Sequence, residues 1–115
     1  MHKELEDLPV SWGGMTMGYQ QVPAGTDVSA LLKGLPDEKC PCPHWGYVVK
    51  GSIHIGYADG TEEVIRAGEV FYMPAGHTGW TDEDVAFIEL SPEGEYREVM
   101  KHIERRQREL SQGSE

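Results

Sequence analysis

The residues most able to do chemistry in this chain crowd into one short stretch, Cys40-Pro41-Cys42-Pro43-His44. Side chains two apart point to the same side of an extended backbone, and each proline favours extended conformation in the residue before it. Both thiols and the imidazole are therefore expected to converge. Reduced thiolates with one or two imidazoles suit zinc, which accepts sulfur and nitrogen together in a four-coordinate site; iron and copper take the same donors. His77 is a candidate fourth donor from a distant turn, so the candidate metal ligands are Cys40, Cys42, His44 and His77. Each has a plainer alternative. Cys-x-Cys lacks the two-residue separation of ordinary zinc knuckles and also suits packing or a regulatory thiol pair; the plainer reading of His44 is a buried imidazole hydrogen-bonded near Trp45, and that of His77 a turn or surface histidine.

The number of ligands separates two uses of such a centre. Four firm protein donors close the site and favour structure or sensing, whereas three donors and a water favour catalysis. Other chemistries lack their signatures. No serine has the context of a nucleophile elbow, no glycine-rich loop carries a phosphate-binding lysine, and Glu62, Glu63 and Glu69 flank turns as solvated groups. His2, His54 and His102 are weak ligand candidates: His54 alternates away from the apolar face of its strand, and His102 lies beside Ile103 on a helical pattern.

The elements that must position these residues are mostly strands. The chain has 115 residues, enough for a single domain, and its 14 glycines and seven prolines supply the tight turns of an all-β fold. Met15–Val22 reads as a strand closed by Pro23 and Gly25. Residues 46–50 and 53–57 follow, then the Asp59-Gly60 hairpin signal leading into 62–66, then 70–73 and, after an acidic turn at 81–84, residues 85–90. The period changes after Pro92. Tyr96, Val99, Met100, Ile103 and Leu110 recur on one face of a helix, expected to cover either the barrel wall or a second subunit. The expected division is an N-terminal arm (1–14), a barrel (15–91), a helix (92–112) and a flexible tail (113–115).

The arrangement resembles the cupin family. Gly51 ends a stretch that matches the first cupin motif, so that His44 falls where a metal-binding glutamate usually stands and Cys40 where a metal-binding histidine can occur, while Cys42 has no ordinary counterpart. Gly68, Pro74 and Gly76 have the second motif's spacing, with Phe71, Tyr72 and Met73 before the turn. The motif's usual histidine position is Gly79, and the histidine present is His77. Over residues 15–91 the resemblance implies a cupin-like double-stranded β-helix or small jelly-roll barrel with a C-terminal amphipathic helix, classed as all-β, with a site between the motif strands. Trp80, Phe71 and Met73 are the expected pocket residues.

The expected function is that of a metal-binding cupin, either a small-molecule enzyme with a zinc or iron centre or a non-enzymatic metal or small-ligand sensor; a metal-free ligand-binding barrel is the third account. Zinc is the favoured cofactor. Ten basic against twenty acidic residues give a net charge of -10, which argues against nucleic-acid or anionic-membrane partners. A small-molecule ligand and a homodimer are the expected partners. No apolar run follows Met1, so no signal or membrane segment is read and the cytoplasm, where thiols stay reduced, is the expected location.

Overall fold

A computed structural model of the chain describes residues 1–112; the expected tail at 113–115 lies outside the described residues. Alternation of apolar and polar residues produces eight strands: β1 (Val10–Trp12), β2 (Met15–Val22), β3 (His44–Lys50), β4 (Ser52–Tyr57), β5 (Glu62–Arg66), β6 (Val70–Met73), β7 (His77–Trp80) and β8 (Val85–Pro92). They form two antiparallel sheets, ordered β1-β2-β8-β3-β6 and β5-β4-β7. Val48, Phe71, Met73, Val85 and Phe87 from the larger sheet meet Ile53, Ile55 and Ile65 from the smaller one in the core between them. Burying a side chain of this kind stabilises the fold by about 1.5–3 kcal/mol.

Two elements were not legible as strands. β1 lies within the expected arm and exists because Val10 and Trp12 pair with Met17 and Met15 of β2. β7, expected as a turn, has only four residues, one of them glycine; β4 supplies its ladder, with His54 opposite Trp80 and Tyr57 opposite His77.

The expected all-β class does not hold. The fold mixes α and β, with 27% of the described residues helical, in α1 (Ser29–Leu32), α2 (Glu93–Gln112) and short 3-10 turns. Helix enters the interior itself: Val99 of α2 and Leu32 of α1 pack with Cys40 and Cys42 in a second apolar cluster, flanked by Tyr96 and Ile103. The apolar stripe of α2 thus faces its own domain. His102 of α2 adds a hydrogen bond to the Lys33 carbonyl at 2.8 Å, which ties the two helices together.

Two glycines are required by space. Gly51, between β3 and β4, has φ +76°, and a Cβ there would also collide with the Asp84 carbonyl. Gly46 in β3 has an ordinary strand conformation, but a Cβ would strike the backbone oxygen of Ile88 and the ring of Phe71. Gly46→Ala is expected to destabilise the protein by about 3 kcal/mol or more, whereas Gly94→Ala in α2, where a Cβ meets nothing within 4 Å, is expected to be neutral or to stabilise by up to about 1 kcal/mol. Urea-unfolding midpoints of the two variants check this contrast.

Candidate metal centre

β3 begins at His44, and its alternation sends His44, Gly46 and Val48 inward while Trp45, Tyr47 and Val49 face out. The cysteine loop before it is held by backbone bonds. The Cys40 N–H donates to the His77 carbonyl at 2.7 Å, and the Gly76 N–H donates to the Cys40 carbonyl at 2.7 Å, forming an isolated bridge between Cys40 and the start of β7. Cys40, His44 and His77 are consequently brought together and buried, with one potential ligand atom from each lying within 4.8 Å of the others. Cys40 Sγ is 3.8 Å from His44 Nε2, and the two imidazole rings stand edge to face with centroids 5.0 Å apart.

The outer hydrogen bonds set the imidazoles for ligation. His77 Nδ1 lies 2.8 Å from the Pro74 carbonyl, which only accepts, so Nδ1 carries the proton and Nε2 keeps its lone pair. His44 Nδ1 pairs with Ser91 Oγ at 2.7 Å, which orients the ring so that Nε2 faces Cys40. Burial holds His44 neutral, its pKa pushed down to about 3 with His77 adding to the effect, and burial also lowers His77. Both rings therefore remain in the ligating form at neutral pH. Burial acts oppositely on Cys40, pushing its thiol up to about 11, so a cation bound there must displace a proton. This donor set fits a divalent ion.

Cys42 lies outside this group. Alternate side chains converge only along an unbroken strand, and Cys42 sits in a bend before β3. Its buried thiol donates to the Pro43 carbonyl at 3.5 Å and packs with Leu32 and Val99. Among the other histidines, His54 pairs with Asp82 at 2.8 Å and stacks on Trp80.

The triad lies on a cavity of about 270 Å³ between the sheets, walled mainly by apolar side chains and bordered on one side by α1 and α2 through Leu32, Tyr96, Val99 and Ile103. Of the expected pocket residues, Met73 and Trp80 line it. Phe71 instead packs edge-on against Phe87 in the core. Gly79, where the resemblance places a histidine, also lines the cavity; His77 shares its side of β7, two residues earlier.

One cavity residue was missed by the sequence reasoning. Glu89 follows Val85 and Phe87 on the inward face of β8, and its cross-strand neighbours are both glycines, Gly18 and Gly46. A carboxylate sharing the parity of core residues was the available signal. Glu89 keeps part of its surface accessible along the cavity wall, yet burial pushes its pKa up to about 7.

No family model matches the sequence, and no curated protein matches it. Solved structures do. A protein from Neisseria meningitidis superposes with a TM-score of 0.56 at 13% identity, covering 74% of this chain and 80% of that one. An RmlC-like cupin family protein with a double-stranded β-helix fold, from Methanocaldococcus jannaschii, gives 0.53 at 13% identity over 76% and 78%. The chain has the cupin fold. The Clostridium difficile EutQ protein gives 0.51 at 18% identity; there the match covers 69% of this chain but 57% of the other, little more than half its length. At these identities the cupin likeness concerns the barrel. No described helix is long and apolar enough to cross a membrane.

The buried carboxyl makes stability depend on pH in a defined direction. Its folded pKa of about 7 exceeds the ordinary 4.5, so the folded state holds a proton that the unfolded chain loses, and stability falls as pH rises between those values. In metal-free protein, Glu89→Gln is expected to match the parent near pH 4.5 and to exceed it at pH 8 by up to about 3 kcal/mol. Urea unfolding at the two pH values measures the difference.

Proposed function

We propose that this cupin binds one divalent ion, zinc by preference, through Cys40, His44 and His77, and acts on a small, largely apolar molecule held in the cavity. The observation that carries the reading is the buried triad, with a ligand atom from each residue within 4.8 Å of the others and Nδ1 of each imidazole already engaged by Ser91 or Pro74. Sulfur with two imidazole nitrogens suits zinc. Among the described residues no fourth Cys, His, Asp or Glu joins the group, which favours a coordination position left for water or substrate, and so an enzyme over a closed structural or sensing site. A divalent ion there supplies Lewis acidity to a polar group on the substrate.

The chain's own residues supply the rest. Ile53, Ile55, Met73, Phe87 and Trp80 offer an apolar wall to the substrate body, and side chains of α1 and α2 border it on one side. Glu89, a carboxyl lining the same cavity whose pKa burial raises to about 7 in the metal-free protein, is the group we assign to proton transfer. The substrate class this favours is a compact molecule with one polar function at the Cys/His end and a hydrocarbon or aromatic body.

Separate alanine substitutions of Cys40, His44 and His77 are expected to weaken zinc binding at least about tenfold each, and Cys42→Ala to leave it within about twofold. Competition with a chromophoric chelator measures this. With cobalt substituted, the sulfur-to-metal charge-transfer band should vanish in Cys40→Ala and persist in Cys42→Ala. Unchanged zinc affinity in all three triad variants would overturn the assignment.

A further inference from the structure

The triad is not the whole polar content of the cavity. Glu89 lines it from β8, opposite Gly46 of β3. Gly46 follows His44 on the same inward face, so the row of Glu89 lies about 7 Å along the strand from that of His44. Among the described residues the Glu89 carboxyl has no hydrogen-bond or ion-pair partner, and part of its surface is open to the cavity. No described Lys or Arg and no second Asp or Glu lines that space. Gln20 of β2 reaches toward the same row. Its Nε2 lies 3.1 Å from where a Cβ on Gly18 would stand, and Gly18 is the other cross-strand neighbour of Glu89. Trp80, Phe87 and Tyr96 bring aromatic rings to the cavity wall.

We propose that the cavity selects a primary amine, whose ammonium group pairs with Glu89 while the body of the molecule packs on the apolar wall. This names the substrate class of the proposed function and rests on its reading of the cavity as the substrate site. A carboxyl without a partner in apolar surroundings costs free energy, and a ligand cation supplies that partner through charge-assisted hydrogen bonds. The aromatic rings add attraction for a cation, and the net charge of -10 draws cations to the protein. An anionic group gains nothing beside Glu89, which repels it with no basic side chain to offset the repulsion. A divalent ion and the Cys40 thiolate together add one positive charge at the triad, which favours an oxygen function at that end of the molecule and leaves the Glu89 end for the ammonium. The proton transfer assigned to Glu89 then runs between its carboxylate and the substrate nitrogen: the ammonium loses one proton and its charge as the carboxylate becomes a neutral carboxyl.

Titration calorimetry of the full chain at about pH 7.5 with 2-phenylethylamine and 2-phenylethanol tests the proposal, because the two probes share one body and differ in the polar end, the amine being protonated at that pH. The amine is expected to bind at least about tenfold more tightly than the alcohol, both in zinc-loaded protein and after zinc is removed with a chelator. In Glu89→Gln that advantage should fall to within about twofold, with the affinity for the alcohol unchanged as the sign that the cavity is intact. Absence of amine binding, equal binding of the alcohol, or an amine preference that Glu89→Gln retains overturns the proposal. A preference lost on removal of zinc also overturns it, since the amine then sits on the ion. Failure of the metal assignment shows separately, in the zinc affinities of the triad variants, and leaves the metal-free titration as a test of Glu89.

Discussion

The candidate site depends on a short backbone bridge. Cys40 lies 37 residues before His77, and the two 2.7 Å bonds that join the cysteine loop to the start of β7 bring them side by side. Because these bonds use main-chain atoms, both side chains are left to face inward. β3 starts four residues after Cys40 and carries His44 to the same place, where Ser91 on β8 fixes its ring. Three segments distant in sequence or separated by a bend are thus registered by main-chain hydrogen bonds and the outward Nδ1 atoms of the two imidazoles, which leave Nε2 of each ring turned to the site.

Once registered, the residues acquire their chemistry from burial. The same low-polarity surroundings push His44 down to about 3, Cys40 up to about 11 and Glu89 up to about 7, in each case favouring the neutral form. Neutral imidazoles are ready to ligate, a neutral thiol must exchange its proton for a cation, and a carboxyl near pH 7 exchanges protons readily. Glu89 lines the same cavity as the triad, bordered on one side by side chains of α1 and α2. Buried ionisable groups of this kind oppose stability, which is why the apolar core between the sheets has to be well filled elsewhere.

The division between the two faces of the larger sheet organises the rest of the molecule. Its inner face holds His44, Glu89 and its share of the core; its outer face exposes Trp45, Tyr47, Val70 and Tyr72. Helix α2 could have covered either. Its contacts with Leu32 and Cys42 commit it to the inner side, where Tyr96, Val99 and Ile103 add to the cavity wall. That commitment also makes helix part of the core rather than an appendage to an all-β barrel. The likeness to solved cupins reaches the barrel and stops there, since the donor set here replaces the expected pattern at His44 and His77.

Much of the barrel was legible in local sequence. The strand at Met15–Val22, the Asp59-Gly60 hairpin, the inward parity of His44 and Val48, and the helical period after Pro92 all follow from two-residue or 3.6-residue repetition. Cys40, His44 and His77 could be nominated from residue type and spacing. Membership of the group could not. Alternation predicts convergence only along a continuous strand, and the bend at Cys42 breaks it, so only tertiary contacts separate Cys42, packed with Leu32 and Val99, from Cys40. β7 is a strand because β4 offers it a ladder, and Glu89 becomes a distinctive acid because folding encloses it. The repertoire of strands and donor groups follows from neighbours a few residues away, whereas which donors meet and how strongly they titrate follows from distances and desolvation set by residues that folding brings together across the whole chain.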